Sequence, residues 1–340
     1  MPERGYRMQD DLVPPGLTYL ADNIRSHQNI LGVSKEQSAR WANGLGLPER
    51  AETVFFAGCG YQYSAQLERL MSLSRSVDRS VIGSELPMRF ARFQKKLGLN
   101  LPGIYGNITG RKASTEVKPL AAAIAVLRKL GIEPGYLGEH EPCCGAPLNH
   151  AGFQKKFAEN AVQAHATLKS YGVKEVISIV PYCTNALATL FPQHVPGYDL
   201  KVRHLLTVLD ENLGSLRMRL PRPVKIAYHD PCQLVRFLDI VDEPRRILRA
   251  IENAELVEPE WTKGAFATCC GGGGGFEAVF PELSAMLGVN RARELLDTGA
   301  DLIVTHCPGC VMQLQEGVRE LNGGAVPVMD LVELIAAAMV

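Results

Sequence analysis

Two adjacent cysteines, Cys269 and Cys270, stand directly before five glycines, Gly271–Gly275. Neighbouring Cα atoms across a trans peptide are about 3.8 Å apart, short of the roughly 4.4–6.8 Å usual for a disulfide. The pair therefore reads as two thiols aimed at one inorganic centre, with glycines letting the backbone close around it. Other cysteines supply the same kind of donor. Cys232 lies 36 residues before the pair, Cys307 lies 36 residues after it, and Cys310 follows in a CxxC. The first half of the chain has Cys59, then 83 residues, the pair Cys143 and Cys144, then 38 residues and Cys183.

These nine thiols are read in a reducing compartment. The start "MPERGYRMQDDLVPPG" lacks the apolar core of a signal peptide, and no run approaches the roughly 18 apolar residues of a membrane span. A cytoplasmic location follows as the expectation, free or at the inner face of the membrane through partners. There, an odd number of cysteines argues against a disulfide framework. Lys and Arg total 36, as do Asp and Glu, so no net charge draws the chain to nucleic acid. Its hydrophobic fraction of 46% is that of a globular protein long enough for two cores.

The elements that must position the thiols repeat. "VFFAGC" ending at Cys59 matches "IAYHDPC" ending at Cys232, an apolar strand running into a cysteine loop. "PLAAAIAVLRKLGIEP" from Pro119 matches "PRRILRAIENAELVEP" from Pro244, both read as amphipathic helices. "EPCCGAP" matches "ATCCGGG", and "EVISIVPYC" matches "DLIVTHCPGC", with Val180 where the second copy has Cys307. "VRHLLTVL" from Val202 matches "VPVMDLVELI" from Val326. The expected fold is α/β: two tandem related modules with mainly parallel sheets, cysteine loops at the strand ends, and an N-terminal helical arm. The boundaries are an arm over 1–50, a first module over 51–214 and a second over 222–340. A linker is expected within 215–225, where arginines and prolines interrupt the pattern. Residues 68–118 are an insertion mixing basic and apolar residues, either a docking surface for a protein or membrane face or a helical cover for its own module. The apolar C-terminus, "LVELIAAAMV", is expected as a helix docked on the body.

A structural zinc needs four ligands, and the second module offers five cysteines. Soft thiolates in that number suit an iron–sulfur site, and their spacing differs from the ferredoxin run in which three cysteines fall within seven residues. Cys232, Cys269-Cys270-Gly271 and Cys307-Pro308-Gly309-Cys310 resemble the cysteine-rich CCG module, usually found in tandem in the B- or D-type catalytic subunits of heterodisulfide reductases. The resemblance covers about residues 51–340. It implies that Cys232, Cys269, Cys270, Cys307 and Cys310 hold a noncubane [4Fe-4S] cluster that serves as the reactive centre, with Gly271 and Gly272 wrapping it. The first module departs from the pattern at Val180. Its Cys59, Cys143, Cys144 and Cys183 are enough for an ordinary [4Fe-4S] cluster, or are a vestigial site.

The resemblance implies an oxidoreductase acting on sulfur groups, exchanging electrons with a thiol, disulfide or sulfur-carrier substrate. Implied partners are a ferredoxin-like iron–sulfur subunit, a flavoprotein subunit and a membrane quinone-reactive subunit. Two other functions stay open: an electron relay in a quinone-linked, 2-hydroxy-acid or acyl-CoA-linked complex, and a zinc-stabilised scaffold. His229 and His306, beside Cys232 and Cys307, are either proton donors to a cleaved disulfide or loop-capping residues. His150 and Arg236 are weaker polar candidates, the latter for a carboxylate or phosphate.

Overall fold

The computed structural model of the chain describes residues 13–64 and 118–340. The insertion 68–118 lies outside them except for its last residue. Two parallel sheets carry the fold. The first is β1 (Thr53–Phe56), β2 (Glu175–Ser178) and β3 (Lys201–His204), in the order β1-β2-β3. The second contains β4 (Met218–Tyr228), β5 (Ile251–Val257), β6 (Leu302–Thr305) and β7 (Val328–Asp330), in the order β5-β4-β6-β7. The strand cores "VFF", "VIS" and "LIV" are buried throughout, as expected of parallel sheets covered on both faces.

The sheets repeat each other more closely than the strand order suggests. Gly135 forms an isolated parallel bridge to Val54, donating to the Thr53 carbonyl at 2.9 Å and accepting from Phe55 N–H at 2.8 Å. It occupies the place of β5, so both sheets share one order. In the first module that edge strand is reduced to a single residue.

Two expectations are corrected. Most of 215–225 is the start of β4 rather than a linker. Pro221 and Pro223 fall where the β4–β5 register shifts between Arg219 and Val224, a bulge in which their missing N–H groups break no ladder bond. The helix expected from Pro244 is short, Glu243–Arg249, and the residues after it pair with β4 as β5. Its first-module counterpart, Lys118–Lys129, is a full amphipathic helix burying Leu120, Ala123, Ile124 and Leu127 at helical spacing.

The modules exchange helices. The C-terminal helix Leu331–Ala338 packs on Lys118–Lys129 of the first module, and Leu205–Glu211 of the first packs on Glu243–Arg249 of the second. One apolar core therefore runs through both. The N-terminal arm forms helices Pro15–His27 and Lys35–Ala39. It is stapled to the body by Trp41, which stacks near Phe55 and Tyr136 and donates to the Tyr136 hydroxyl at 3.1 Å. No helix among the described residues is long and apolar enough to cross a membrane.

Candidate metal centre

Every cysteine lies at the carboxyl end of a parallel strand or in the loop that returns there, the edge at which open α/β sheets bind ligands. Cys232 opens the helix Cys232–Phe237 directly after β4. Cys307 caps the helix Pro308–Asn322 after β6, and Cys310 sits in that helix's first turn. Cys269 and Cys270 come from the loop after β5.

The three stretches converge. Cys232 hydrogen-bonds Cys269, Cys269 bonds Cys270, Cys270 and Cys310 bond each other across 3.2 Å, and Cys310 bonds Cys307. Cys270 and Cys310 are buried, Cys232 and Cys307 half-buried, and Cys269 exposed, so the row of sulfurs opens to solvent at Cys269. Thiols that receive these bonds acidify and those that give them do not. Hydrogen bonds from Cys232 and Cys270 pull Cys269 down to about 2, aided by the Gly271 N–H at 3.3 Å. The Cys310 thiol likewise lowers Cys307, while giving such bonds, and then burial, push Cys232 and Cys310 up.

The glycines are fixed by crowding as well as by conformation. Gly271 has φ +83°, and a Cβ there would lie 2.3 Å from the Ser284 carbonyl oxygen. A Cβ on Gly272 would meet Gln313 Cγ at 2.8 Å and the Gly309 oxygen at 2.9 Å. The loop is thus pressed against the helices Pro281–Leu296 and Pro308–Asn322, a cradle only main chain can line.

The first module repeats this arrangement with four sulfurs. Cys59 bonds Cys143, Cys143 bonds Cys144, and Cys144 bonds Cys183. Gly145 N–H reaches Cys143 Sγ at 3.4 Å, as Gly271 does Cys269. Val180 stands at the fifth place. Its Cγ2 and Cys183 Sγ lie 2.8 and 2.9 Å from the point a Gly58 Cβ would occupy.

The other candidates are internal. His229 is buried, and its Nδ1 accepts from Arg291 Nε at 3.0 Å; burial, then the guanidinium charge, push its imidazole down to about 3. His306 is fully buried with Nδ1 on Asp330 Oδ1 at 2.8 Å, and Asp330 also takes the Tyr61 hydroxyl. His150 bonds the Ala146 carbonyl and lies beside the Tyr182 ring. Arg236 is an exposed surface arginine whose Nη2 donates to the Ala267 carbonyl at 2.9 Å, bracing the Cys232 helix against the cysteine-pair loop.

Several residues escaped the sequence reading. Arg245 forms a bidentate pair with buried Asp230 at 2.8 Å and also meets Glu258, fixing the turn that carries Cys232. Tyr182 reaches from the first module to the glycine loop, and burial, then the charges of Cys232 and Cys307, push its phenol up. Glu141 is buried, accepting from Ala57 N–H at 2.7 Å, Gly58 N–H at 3.0 Å and Gln62; burial lifts its carboxyl to about 7 against Lys35 and those N–H groups. The one available signal for Glu141 was its position two residues before a cysteine pair, where the second module has Ala267.

The same residues can be compared with known proteins. Residues 110–188 and 226–315 each match the cysteine-rich CCG domain, one match per module. This chain belongs to the CCG cysteine-rich family. Relatives in it include the D-type subunit of the dihydromethanophenazine:CoB–CoM heterodisulfide reductase of Methanosarcina barkeri, 34% identical over 68% of this chain and 58% of that one. The EtfAB:quinone oxidoreductase of Syntrophomonas wolfei is 32% identical over 64% of this chain and 31% of that protein. A probable iron–sulfur-binding oxidoreductase of Bacillus subtilis is 30% identical over 63% of this chain and 30% of its own length. The chain thus spans between about a third and somewhat over half of these relatives. The CCG match and the iron–sulfur relatives support an iron–sulfur cluster in this chain, and the soft, closely grouped sulfurs fit one.

Proposed function

We propose that this chain is the iron–sulfur oxidoreductase subunit of a heterodisulfide reductase-like complex. In this reading Cys232, Cys269, Cys270, Cys307 and Cys310 hold a noncubane [4Fe-4S] cluster, and electrons pass there to or from a disulfide, thiol or sulfur-carrier substrate. The observation that carries it is the unbroken row of five sulfurs with its exposed member at Cys269. When bound, such a cluster supplies electrons one at a time and iron that can hold a sulfur atom.

The chain's own residues do the rest. Cys270 and Cys310 supply the buried sulfurs, and exposed Cys269, with half-buried Cys232 beside it, is where a substrate sulfur can approach. Gly271 and Gly272 bring main-chain N–H groups against the sulfurs of Cys269 and Cys270, where hydrogen bonds tune the potential. Arg245 and Arg236 fix the loops carrying Cys232 and Cys269. Cys59, Cys143, Cys144 and Cys183 would hold a second, four-thiolate [4Fe-4S] cluster, which would supply a one-electron site between the second module and a ferredoxin-like or flavoprotein subunit. The chain works on the cytoplasmic side, in a complex that reaches a quinone-reactive membrane subunit. The similarity to a quinone oxidoreductase favours one second reading, a relay subunit in a quinone-linked complex.

Anaerobic purification with iron, sulfide and zinc analysis, followed by EPR with and without added thiol, tests this. Expected are iron and sulfide, a signal that shifts with thiol, and loss of that signal in Cys269→Ser. Zinc without iron refutes the redox role. Iron with a signal indifferent to thiol leaves only the relay.

A further inference from the structure

Arg291 is a fully buried arginine on the helix Pro281–Leu296, on the same face as Ser284, Gly288, Ala292 and Leu295. An apolar side chain would fill that stripe without the desolvation cost of a guanidinium. Glu294 balances its charge at 2.6 Å, and Nη1 also holds Thr262 and Thr268. Its Nε, however, is given to His229 Nδ1. A guanidinium has donors only, so Nδ1 of His229 must be the accepting nitrogen and the ring proton must sit on Nε2.

A ring nitrogen of His229 and the sulfurs of Cys270 and Cys310 all lie within 4.8 Å of one another, a grouping that would also suit a metal. With Nδ1 occupied by Arg291, Nε2 is the one ring nitrogen free to serve the sulfurs, and it carries the proton. An N–H cannot ligate.

We propose that Arg291 keeps His229 from becoming a metal ligand and makes it an Nε2–H hydrogen-bond donor to the sulfur pole at Cys270 and Cys310, which raises the potential of the centre. This rests on the five-cysteine cluster reading above. A donor facing sulfur stabilises the more negative, reduced state, so removing it makes reduction harder. Arg291 is then a positioning residue, acting through His229, and its bonds to Thr262 and Thr268 are a separate, structural duty.

The test uses the cluster-loaded full chain with 15N-labelled histidine. Iron and sulfide content come first, and their absence from the wild type refutes the cluster reading, not the tautomer. Pulsed EPR in H2O and D2O then reads nitrogen and exchangeable-proton couplings, and a redox titration reads the potential. Expected in the wild type are a weak nitrogen coupling and an exchangeable proton, both lost in His229→Leu. In that variant the reduced-to-oxidised ratio at fixed potential falls about tenfold, about 59 mV for a one-electron couple. Arg291→Met alters the nitrogen coupling and Arg291→Lys restores it. A nitrogen coupling as large as that of iron-bound imidazole in the wild type overturns the proposal. So does an unchanged proton coupling and potential in His229→Leu, which leaves every loop bond of Arg291 in place and decides the matter should the Arg291 variants fail to fold.

Discussion

Gly271→Ala tests the cradle directly. Two costs add. Alanine at φ +83° is in the left-handed region, worth about 1–2 kcal/mol. Its Cβ would then lie 2.3 Å from the Ser284 carbonyl oxygen and 3.0 Å from Leu287 Cβ, against ordinary contacts of 3.4–4 Å. Loop and helix must part by about 1 Å, an overpacking of about 1–3 kcal/mol. Neither side gives easily, because Ser284 Oγ donates to the Gly271 carbonyl at 2.8 Å and is itself held by Gln313 at 2.7 Å. The sum is about 2–5 kcal/mol, which at a slope near 3 kcal/mol per molar lowers a urea midpoint by about 1 M. Gly274→Ala is the control. It has φ +68°, but its Cβ meets only the tip of Tyr182, at 2.9 Å, so it carries the conformational cost of about 1–2 kcal/mol and little else. Urea titration of the anaerobic protein, followed by tryptophan fluorescence and by the visible absorption of the cluster, compares them. Gly271→Ala with wild-type midpoint and full iron, or Gly274→Ala as the more damaging change, would refute the cradle.

Arg245→Met leaves the Asp230 carboxylate buried without its bidentate partner and should cost about 3–5 kcal/mol in the same titration, whereas Arg245→Met with Asp230→Leu should cost clearly less. Val180→Cys completes a fifth thiol in the first module at a packing cost of about 1 kcal/mol. Iron per chain or the EPR spectrum should change toward a second copy of the second-module signal, and an unchanged analysis would mean that Val180 is not what separates the two sites. Glu141→Gln turns a two-oxygen acceptor into one oxygen and one donor. Of the Ala57 and Gly58 N–H groups one loses its partner, and stability should fall by about 1–3 kcal/mol, read by calorimetry and by faster amide exchange at those two residues.

The cysteine pattern was legible because a multi-thiol site leaves rigid marks: adjacent donors, glycines where only main chain fits, and apolar strands before each loop. The repeat was legible for the same reason, and the α/β fold and docked C-terminal helix followed from it. What stayed hidden depends on partners distant in sequence. The β4 segment reads as a linker because arginine and proline dominate it, yet Met218 and Leu220 turn inward and the prolines sit in a bulge. Gly135 carries no strand signal at all, since a one-residue edge strand is made by what lies beside it. Arg291 is legible only in part. Its spacing puts it on the helix's apolar face, but its target, His229, is 62 residues away.

The duplication does more than supply two copies of a site. Each module's cysteine turns are braced by the other. Tyr61, on the helix that carries Cys59, gives its hydroxyl to Asp330, and Asp330 holds His306 beside Cys307. Tyr182, next to Cys183, lies against Gly273 and Gly274, and Asn185 donates to Gln233, next to Cys232, at 3.1 Å. The exchanged helices Leu331–Ala338 and Leu205–Glu211 lock the same boundary from the far side. Polar groups buried there are costly unless each finds its partner, so the partners must arrive together. A second sheet was therefore not simply added beside the first. The arrangement lets the two sulfur rows diverge, five against four, while the frame that holds them stays common to both.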